Sequence, residues 1–227
     1  MKQQLFVLSL GGSLIVPEAL DINFLKTFKK LILNQVKKGH KFIIITGGGM
    51  VCRKYQTALK ELTNPTNVDL DNLGIQATWL NAKFIQLMFG RYAHNHLISD
   101  PSKHIESKQQ ILLAGGWEPG WSSDFDAVML AKTYSAKTVI NLSNIDFLYT
   151  KDPRKFKTAQ KITHAKWQEV FKIIGTKWVP GANLPFDPIA GKLAEKNEIK
   201  VIIANGKNLK NLENILENKK FVGSVIE

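Results

Sequence analysis

Residues 5–14 read LFVLSLGGSL and residues 41–50 read KFIIITGGGM. In each stretch a short apolar run ends at adjacent glycines. Such a run is typical of a strand buried on both faces, as in a parallel sheet. A glycine at the strand end lets the backbone approach a ligand, and a following helix points its free N–H groups at the same place. The two stretches predict an α/β fold with a binding edge.

The rest of the chain repeats this alternation. Further strands are predicted at 109–116, 137–144 and 200–206. Helices are predicted at 22–38 with Asp21 as the cap, at 50–62, and at 71–89 after a polar loop over 63–70, and again around 122–136, 167–175, 186–196 and 208–218. Strands that alternate with helices favour a parallel sheet covered on both faces. We expect one α/β unit that can have two lobes.

Composition excludes several classes of protein. The 227 residues contain one cysteine, Cys52, so an internal disulfide is excluded and a reducing compartment fits. We expect a soluble, cytoplasmic protein without a membrane partner, because there is no long apolar segment or signal-peptide pattern.

The net charge of +12 does not by itself indicate a nucleic-acid partner. The densest lysine run, 26–41, shares a helical pattern with the apolar stripe Leu25, Phe28, Ile32 and Val36, which places the lysines on the solvated face. No aromatic and basic motif accompanies them, so we expect no nucleic-acid partner.

Glycine-rich strand ends recur four times, as SLGGS, TGGGM, AGGWEPGWSS and NLSNIDFLYTKDP. Ligands of open parallel sheets lie beyond the carboxyl ends of the strands, so the repetition favours phosphate or nucleotide binding. No GxxxxGK[ST] loop and no protein-kinase motif set is present. The GxGxxC at 47–52 leaves a Rossmann dehydrogenase as a weak alternative.

In order and spacing, several motifs resemble the amino-acid-kinase superfamily and, within it, the archaeal-type UMP kinases. They are GGS, GGGMVCRKY, DNLGIQATWLNA, GGWEPGWSSD, SNIDFLYTKDP, FDPIAGK and GSVIE. The resemblance covers about residues 5–227. It implies a three-layer α/β/α sandwich with a mostly parallel central sheet, a homohexamer, and transfer of the ATP γ-phosphoryl group to UMP with Mg²⁺. It also implies an acceptor lobe over roughly 1–136 and an ATP lobe over roughly 137–227.

The resemblance assigns an acceptor side to the site. Gly48 would bind the UMP phosphate through backbone N–H groups, and Asp71 would accept hydrogen bonds from the ribose. A loop would wrap the uridine with Trp117, Glu118, Pro119, Gly120, Trp121, Ser122 and Ser123. From the residues alone, Asp71 could equally be a helix cap, and Trp117 and Trp121 could be packing residues.

The resemblance also assigns an ATP side. Gly12, Ser13 and Gly49 would surround the phosphates, with Arg53 as their cationic partner. Asp146 matches the carboxylate that organises the transfer site, and the predicted catalytic residues are Arg53 and Asp146. The positions expected to contact adenosine or its ribose are Ser143, Asn144, Tyr149 and Asp152.

Three departures from the family pattern concern this ATP side. Ser9 stands where much of the superfamily has a lysine, so another cation is needed; Arg53 is the first candidate and Lys192 the second. Phe147 replaces the usual glycine after Asp146, and segment 178–188 is longer than in the relatives.

Two alternatives stay open. One is a sibling kinase of the isopentenyl phosphate type, and the other is a non-catalytic nucleotide-binding regulator on the same fold.

Overall fold

The computed structural model describes residues 3–177 and 184–227. Its strands are β1 (Leu5–Leu10), β2 (Lys41–Thr46), β3 (Ile111–Ala114), β4 (Thr138–Ser143), β5 (Leu148–Tyr149), β6 (Lys161–Ile162), β7 (His164–Ala165), β8 (Lys200–Asn205) and β9 (Ser224–Ile226). Its helices are α1 (Gly12–Ile15), α2 (Ile22–Lys37), α3 (Gly49–Leu62), α4 (Asn67–Phe89), α5 (Ser123–Thr133), α6 (Trp167–Ile174), α7 (Pro188–Lys196) and α8 (Leu209–Leu216), with a 3₁₀ turn at Gly90–Tyr92.

A seven-stranded sheet in the order β3-β2-β1-β4-β8-β9-β7 forms the centre of the molecule. The strands from β3 to β8 are mutually parallel, and β9 runs antiparallel to β8. The chain adds strands on one side of β1 up to β3 and then places β4 on the other side. The strand order therefore reverses between β1 and β4, and such a reversal opens a crevice at the carboxyl edge of the sheet.

Helices cover both faces of the sheet, which confirms the predicted three-layer α/β fold. Alternate residues of each central strand face opposite sides, so Val7 belongs to one apolar cluster and Leu8 to the other. One cluster contains the buried side chains of α5, α6 and α7, and the other contains those of α1, α2 and α8 together with the end of α4. No helix in the described ranges is long and apolar enough to cross a membrane.

The start of α4 differs from the prediction. The sequence pattern placed a loop over 63–70 and allowed Asp71 to be a cap, but α4 begins at Asn67. Thr66 and Asp69 form a capping box, in which each side chain binds the other residue's backbone N–H. Asp71 therefore lies inside the helix and is free for another role.

Short elements were also missed, since one turn of helix or two residues of strand leave no periodic signal. These are α1, the β5–β6 hairpin, β7 and β9. The hairpin is anchored by Ser224, whose hydroxyl accepts a hydrogen bond from the Leu148 N–H at 2.7 Å and donates one to the Ile162 carbonyl. Residues 178–183 of the long segment 178–188 lie outside the described residues, and the lobe boundary near 136 stays a prediction.

Candidate active site

The glycine loops after β1 and β2 lie against each other at the carboxyl edge. A Cβ on Gly12 would lie 2.0 Å from the Gly49 nitrogen, and one on Gly47 would lie 2.6 Å from the Gly12 nitrogen. Gly49 also has a φ of +64°, in the left-handed region. Any side chain at these positions would force the two loops apart. The contact between the two loops thus requires glycine at these positions.

This packing leaves backbone N–H groups without acceptors. Among the described residues no hydrogen bond engages the N–H of Gly12, Ser13, Gly48 or Gly49, whereas Gly11 donates to the Leu142 carbonyl at 3.0 Å. The 14-residue α3 begins at Gly49, so its positive end faces the same place. Unpaired N–H groups and a helix N-terminus favour an anion such as phosphate.

Helix α4 holds the loop that follows β3. The Trp79 Nε1–H donates to the Gly116 carbonyl at 2.9 Å, and the Gly116 N–H donates to the Thr78 hydroxyl at 2.6 Å. Further along, the Gly120 N–H donates to an Asp71 carboxylate oxygen at 3.0 Å. The structure therefore brings Asp71 to the loop 117–121, although the two are about fifty residues apart in sequence.

Three carboxyl groups gather where α5 and α7 begin. Asp124 accepts hydrogen bonds from the Asn141 side-chain amide at 2.7 Å and from the Asp187 N–H at 3.2 Å. Asp187 caps α7 by accepting from the Ile189 N–H at 2.7 Å, and it also accepts from the Ser122 hydroxyl. Within the described ranges no lysine or arginine forms an ion pair with these carboxyl groups.

The third carboxyl group, that of Asp126, is 1% exposed. One of its oxygens accepts from the Trp117 N–H at 3.1 Å, while the other has no partner among the described residues. Burial raises the pKa of Asp126 to about 7, and the charge of Asp124 adds to the rise. Loss of water likewise raises the pKa of Asp124 to about 7. Near neutral pH these two carboxyl groups are partly protonated.

Ser9 lies directly beside this cluster. It is 6% exposed and is paired with Asn141 of β4 in the sheet register. Paired residues of parallel strands point to the same face, so Ser9 lies on the face that carries Asn141 and α5.

The matches to known proteins agree with this geometry. The model of the amino acid kinase family matches residues 4–205. The chain belongs to the amino acid kinase family. It is 33% identical to a uridylate kinase of Thermoplasma volcanium over 223 residues, covering 97% of this chain and 96% of the relative. A uridylate kinase of Thermoplasma acidophilum is 30% identical over 224 residues, with 97% and 96% covered.

A solved structure shows the same likeness in three dimensions. The crystal structure of uridylate kinase from Archaeoglobus fulgidus superposes with a TM-score of 0.84 at 28% sequence identity, covering 98% of this chain and 99% of that one. The resemblance predicted from the motifs is thereby confirmed as membership of the amino acid kinase family.

The positions that the family pattern marks on the acceptor side fall in one region. Gly48 is the N-cap residue of α3, and Asp71 contacts the loop that contains Gly120. The Ser122 hydroxyl caps α5 by accepting from the Phe125 N–H at 3.1 Å, so this group is already engaged. Trp121 is 40% exposed and stacks on Phe125 with ring centroids 4.0 Å apart. The indole is thus partly exposed to solvent, and its contact with uridine stays a prediction.

The remaining members of the acceptor loop also follow β3. Trp117 is half-buried and packs against the apolar cluster of α5, in agreement with a packing role. Glu118 and Gly120 are exposed, and Pro119 and Ser123 are half-buried. The roles of these residues toward a ligand stay predictions.

On the ATP side, Ser143 ends β4 beside the first glycine loop, since a Cβ on Gly11 would lie 3.9 Å from the Ser143 Cα, and Asn144 follows the strand. Tyr149 belongs to the β5–β6 hairpin, and its ring meets that of Phe147 edge-on at 6.4 Å. Asp152 receives paired hydrogen bonds from Arg154 at 3.1 Å, so an approaching ribose would compete with this guanidinium. Asp146 is exposed on the turn before the hairpin.

The two candidate cations differ in their surroundings. Arg53 is exposed in the second turn of α3, where it lines a shallow groove with Met50 and Lys54 and forms no ion pair with a described residue. Lys192 donates to the Thr176 carbonyl at 2.8 Å. Of these two side chains, Lys192 is engaged in a hydrogen bond and Arg53 is not engaged by any described residue, and the role of either toward phosphate stays a prediction.

Sequence reasoning missed the carboxyl cluster and the residues that hold the loops. These are Asp124, Asp126, Asp187, Asn141, Thr78 and Asn81, the last of which donates to the Gly47 carbonyl at 2.7 Å. Asn141 did carry a signal, since it is a polar residue inside the apolar run TVINLS. A polar residue buried in a central strand needs a partner, and that partner is Asp124.

Proposed function

We propose that the protein is an ATP-dependent UMP kinase that makes UDP for pyrimidine nucleotide synthesis. One observation carries the proposal: the two interlocked glycine loops expose N–H groups at the strand reversal between β1 and β4. Full-length similarity to uridylate kinases supports the choice of acceptor.

In the proposed reaction an oxygen of the UMP phosphate attacks the γ-phosphorus of ATP. The bond from that phosphorus to the β–γ bridging oxygen breaks, and ADP leaves with the electron pair. The protein forms no covalent bond to the substrates in this step. It contributes by positioning the reactants and by stabilising negative charge. The free N–H groups near Gly12, Ser13, Gly48 and Gly49 supply fixed donors, and Arg53 supplies positive charge.

Acceptor specificity is assigned to the loop held by α4. Asp71 presents a carboxylate beside the Gly120 N–H, and the ribose hydroxyls of UMP are suitable donors to it. Main-chain groups and hydroxyls of the loop 117–123 would read the uracil. Its fixed attachments to Thr78 and Trp79 keep the loop in place before UMP arrives.

Mg²⁺ is proposed to enter as a complex with ATP. Among the described residues no group of three or more His, Cys, Asp or Glu side chains is arranged to hold a metal ion. Mg²⁺ commonly keeps several waters and binds substrate phosphates with few protein ligands. The donor set therefore fits a metal that is held mainly by phosphate oxygens and water, with Asp146 as the nearby predicted carboxylate.

Ser9 and Phe147, which stand where the family pattern has a lysine and a glycine, leave one rival function, a regulator that binds nucleotide without transfer. The deciding experiment measures ADP formation from ATP and Mg²⁺ with UMP, CMP, AMP and isopentenyl phosphate as acceptors. We expect turnover with UMP and little with the others. Preference for isopentenyl phosphate would identify the sibling kinase. Nucleotide binding without turnover by any acceptor would refute the kinase proposal.

We further propose that the protein is a homo-oligomer acting in the cytoplasm, with a hexamer expected from the family. Helices α3 and α4 support this, since they expose several large apolar side chains: Tyr55, Leu62, Val68, Leu80 and Leu87. Exposed apolar surface of this kind is typical of contacts between subunits. Light scattering coupled to size-exclusion chromatography measures the mass directly, and a monomer of 25.5 kDa would contradict the proposal.

A further inference from the structure

A cavity of about 430 Å³ lies at the amino edge of the sheet, opposite the candidate active site. It is lined by the beginnings of β1, β4 and β8. The first glycine loop lies at the opposite end of β1. Six-residue strands separate the two edges by about 20 Å, so one ligand cannot occupy both places. Nothing in the proposed reaction uses this cavity.

The floor of the cavity is apolar. Phe6, Ile202 and Ile215 are each less than 9% exposed, and the half-buried Phe221 and Val225 complete the surface. A cavity of this size with an apolar floor is typical of sites for small organic molecules. An occupant would have an apolar or aromatic body.

The rim of the cavity is polar and positively charged. Lys137, Lys200 and Lys219 line it, and no aspartate or glutamate does so within the described part of the chain. Lys200 is paired with Glu227 at 3.1 Å and Lys219 with Glu217 at 2.6 Å. The exposed Lys137 forms no ion pair with a described residue and is the cation most available to a ligand.

Uncharged donors and acceptors stand beside the lysines. The side chains of Gln4, Ser135, Thr138 and Asn218 line the cavity, and none of them forms a hydrogen bond with another described residue. Ser135 and Asn218 follow α5 and α8 with φ of 55° and 54°. The carbonyl ends of these helices add partial negative charge beside the rim, and Lys137 is the lysine of the rim that no described glutamate already neutralises.

We propose that this cavity binds a phosphate monoester with an apolar or aromatic body, as a second ligand site of the protein. Lys137 binds the phosphate directly, and a dianion can also share Lys200 and Lys219 with their partners Glu227 and Glu217. The apolar floor selects the body, because burying it removes apolar surface from water. The site can couple to the reaction through β1, which runs from the cavity to the first glycine loop.

The test uses 1-naphthyl phosphate as the probe, titrated by calorimetry into the full chain. Saturating UMP and ADP are present, so that the carboxyl edge is occupied. We expect saturable binding with a dissociation constant on the order of 1 mM. Inorganic phosphate lacks the aromatic ring system of the probe, and 1-naphthoate carries one negative charge where the probe carries two. Both should therefore bind at least five-fold more weakly than 1-naphthyl phosphate.

Charge reversal then locates the site. Lys137→Glu should weaken probe binding at least ten-fold, and Lys137→Ala about five-fold, while Lys172→Glu on the exposed side of α6 removes the same charge elsewhere and should change nothing. Both positions are exposed, so folding is retained, and circular dichroism checks it. Equal affinities of the Lys137→Glu and Lys172→Glu variants, or no saturable binding, would overturn the proposal. This comparison is independent of whether the protein phosphorylates UMP.

Discussion

Replacing Asp126 by asparagine tests the physical account of the carboxyl cluster. Asp126 is buried with one unpaired oxygen, and its pKa rises to about 7 from an ordinary value of 3.8. Between these values the folded protein holds a proton that the unfolded chain has released. Stability therefore falls as pH rises from about 4 to about 7. The difference of about 3 in pKa corresponds to about 4 kcal/mol in total.

An asparagine has almost the same shape as the protonated aspartic acid, and its side-chain oxygen can still accept from the Trp117 N–H. It cannot ionise, however, so the variant lacks this part of the pH dependence. The free energy of unfolding of the variant, taken relative to that of the wild type, should increase by about 3 kcal/mol between pH 5 and pH 8.5. Any fixed effect of the amide cancels, because the comparison is between two pH values.

The assay is urea unfolding of both proteins at pH 5, 6, 7, 8 and 8.5, followed by far-UV circular dichroism. Glu106→Gln is the control, since that carboxylate is 96% exposed. Its stability difference from the wild type should stay within about 0.5 kcal/mol throughout. Parallel stability curves for the wild type and Asp126→Asn would refute the reasoning.

Four further predictions concern separate parts of the molecule. Arg53→Ala should lower kcat about 10²–10³-fold if the guanidinium stabilises transition-state charge, as steady-state kinetics will measure. Asp71→Asn should raise the KM for UMP more than it lowers kcat, because the ribose acceptor is weakened. Gly12→Ala should destabilise the fold by more than about 3 kcal/mol in urea unfolding, since its Cβ would lie 2.0 Å from the Gly49 nitrogen. His40→Phe should flatten the loss of stability below pH 6.5, because burial lowers the pKa of His40 and only the unfolded chain then takes up a proton.

Each of these predictions has its own control or contrary outcome. Lys54→Ala, on the same helix, should leave kcat nearly unchanged, and an unchanged kcat in Arg53→Ala would exclude a catalytic role. An unaltered KM in Asp71→Asn would count against the ribose contact. Ser13→Ala is the control for Gly12→Ala. A His40→Phe variant that loses stability in acid as steeply as the wild type would show that another group is responsible.

Much of the fold could be predicted because its signals are local. The apolar runs at 41–46 and 200–205 became β2 and β8 within a residue of the expected bounds, since a short apolar run between turn residues is typical of a buried strand. The start of α4 was missed because Thr66 and Asp69 form a capping box within a stretch that is mostly polar and carries a proline.

The candidate site was predictable in part. Glycines at strand ends indicated where backbone would be exposed, and the structure places those of β1 and β2 together. Their contact with each other was not visible, because it depends on which strands become neighbours. The same limit hid the pair Asp124 and Asp187, which are 63 residues apart.

The sequence by itself determined the alternation of strands and helices, the glycines that end the strands, and the family. These are properties of short segments, set by side-chain periodicity and backbone freedom. Only the tertiary structure decided that β4 lies beside β1, which brings Ser9 next to Asn141 and Asp124. The raised pKa values of Asp124 and Asp126 follow from that placement, since desolvation depends on everything that packs around a carboxyl group.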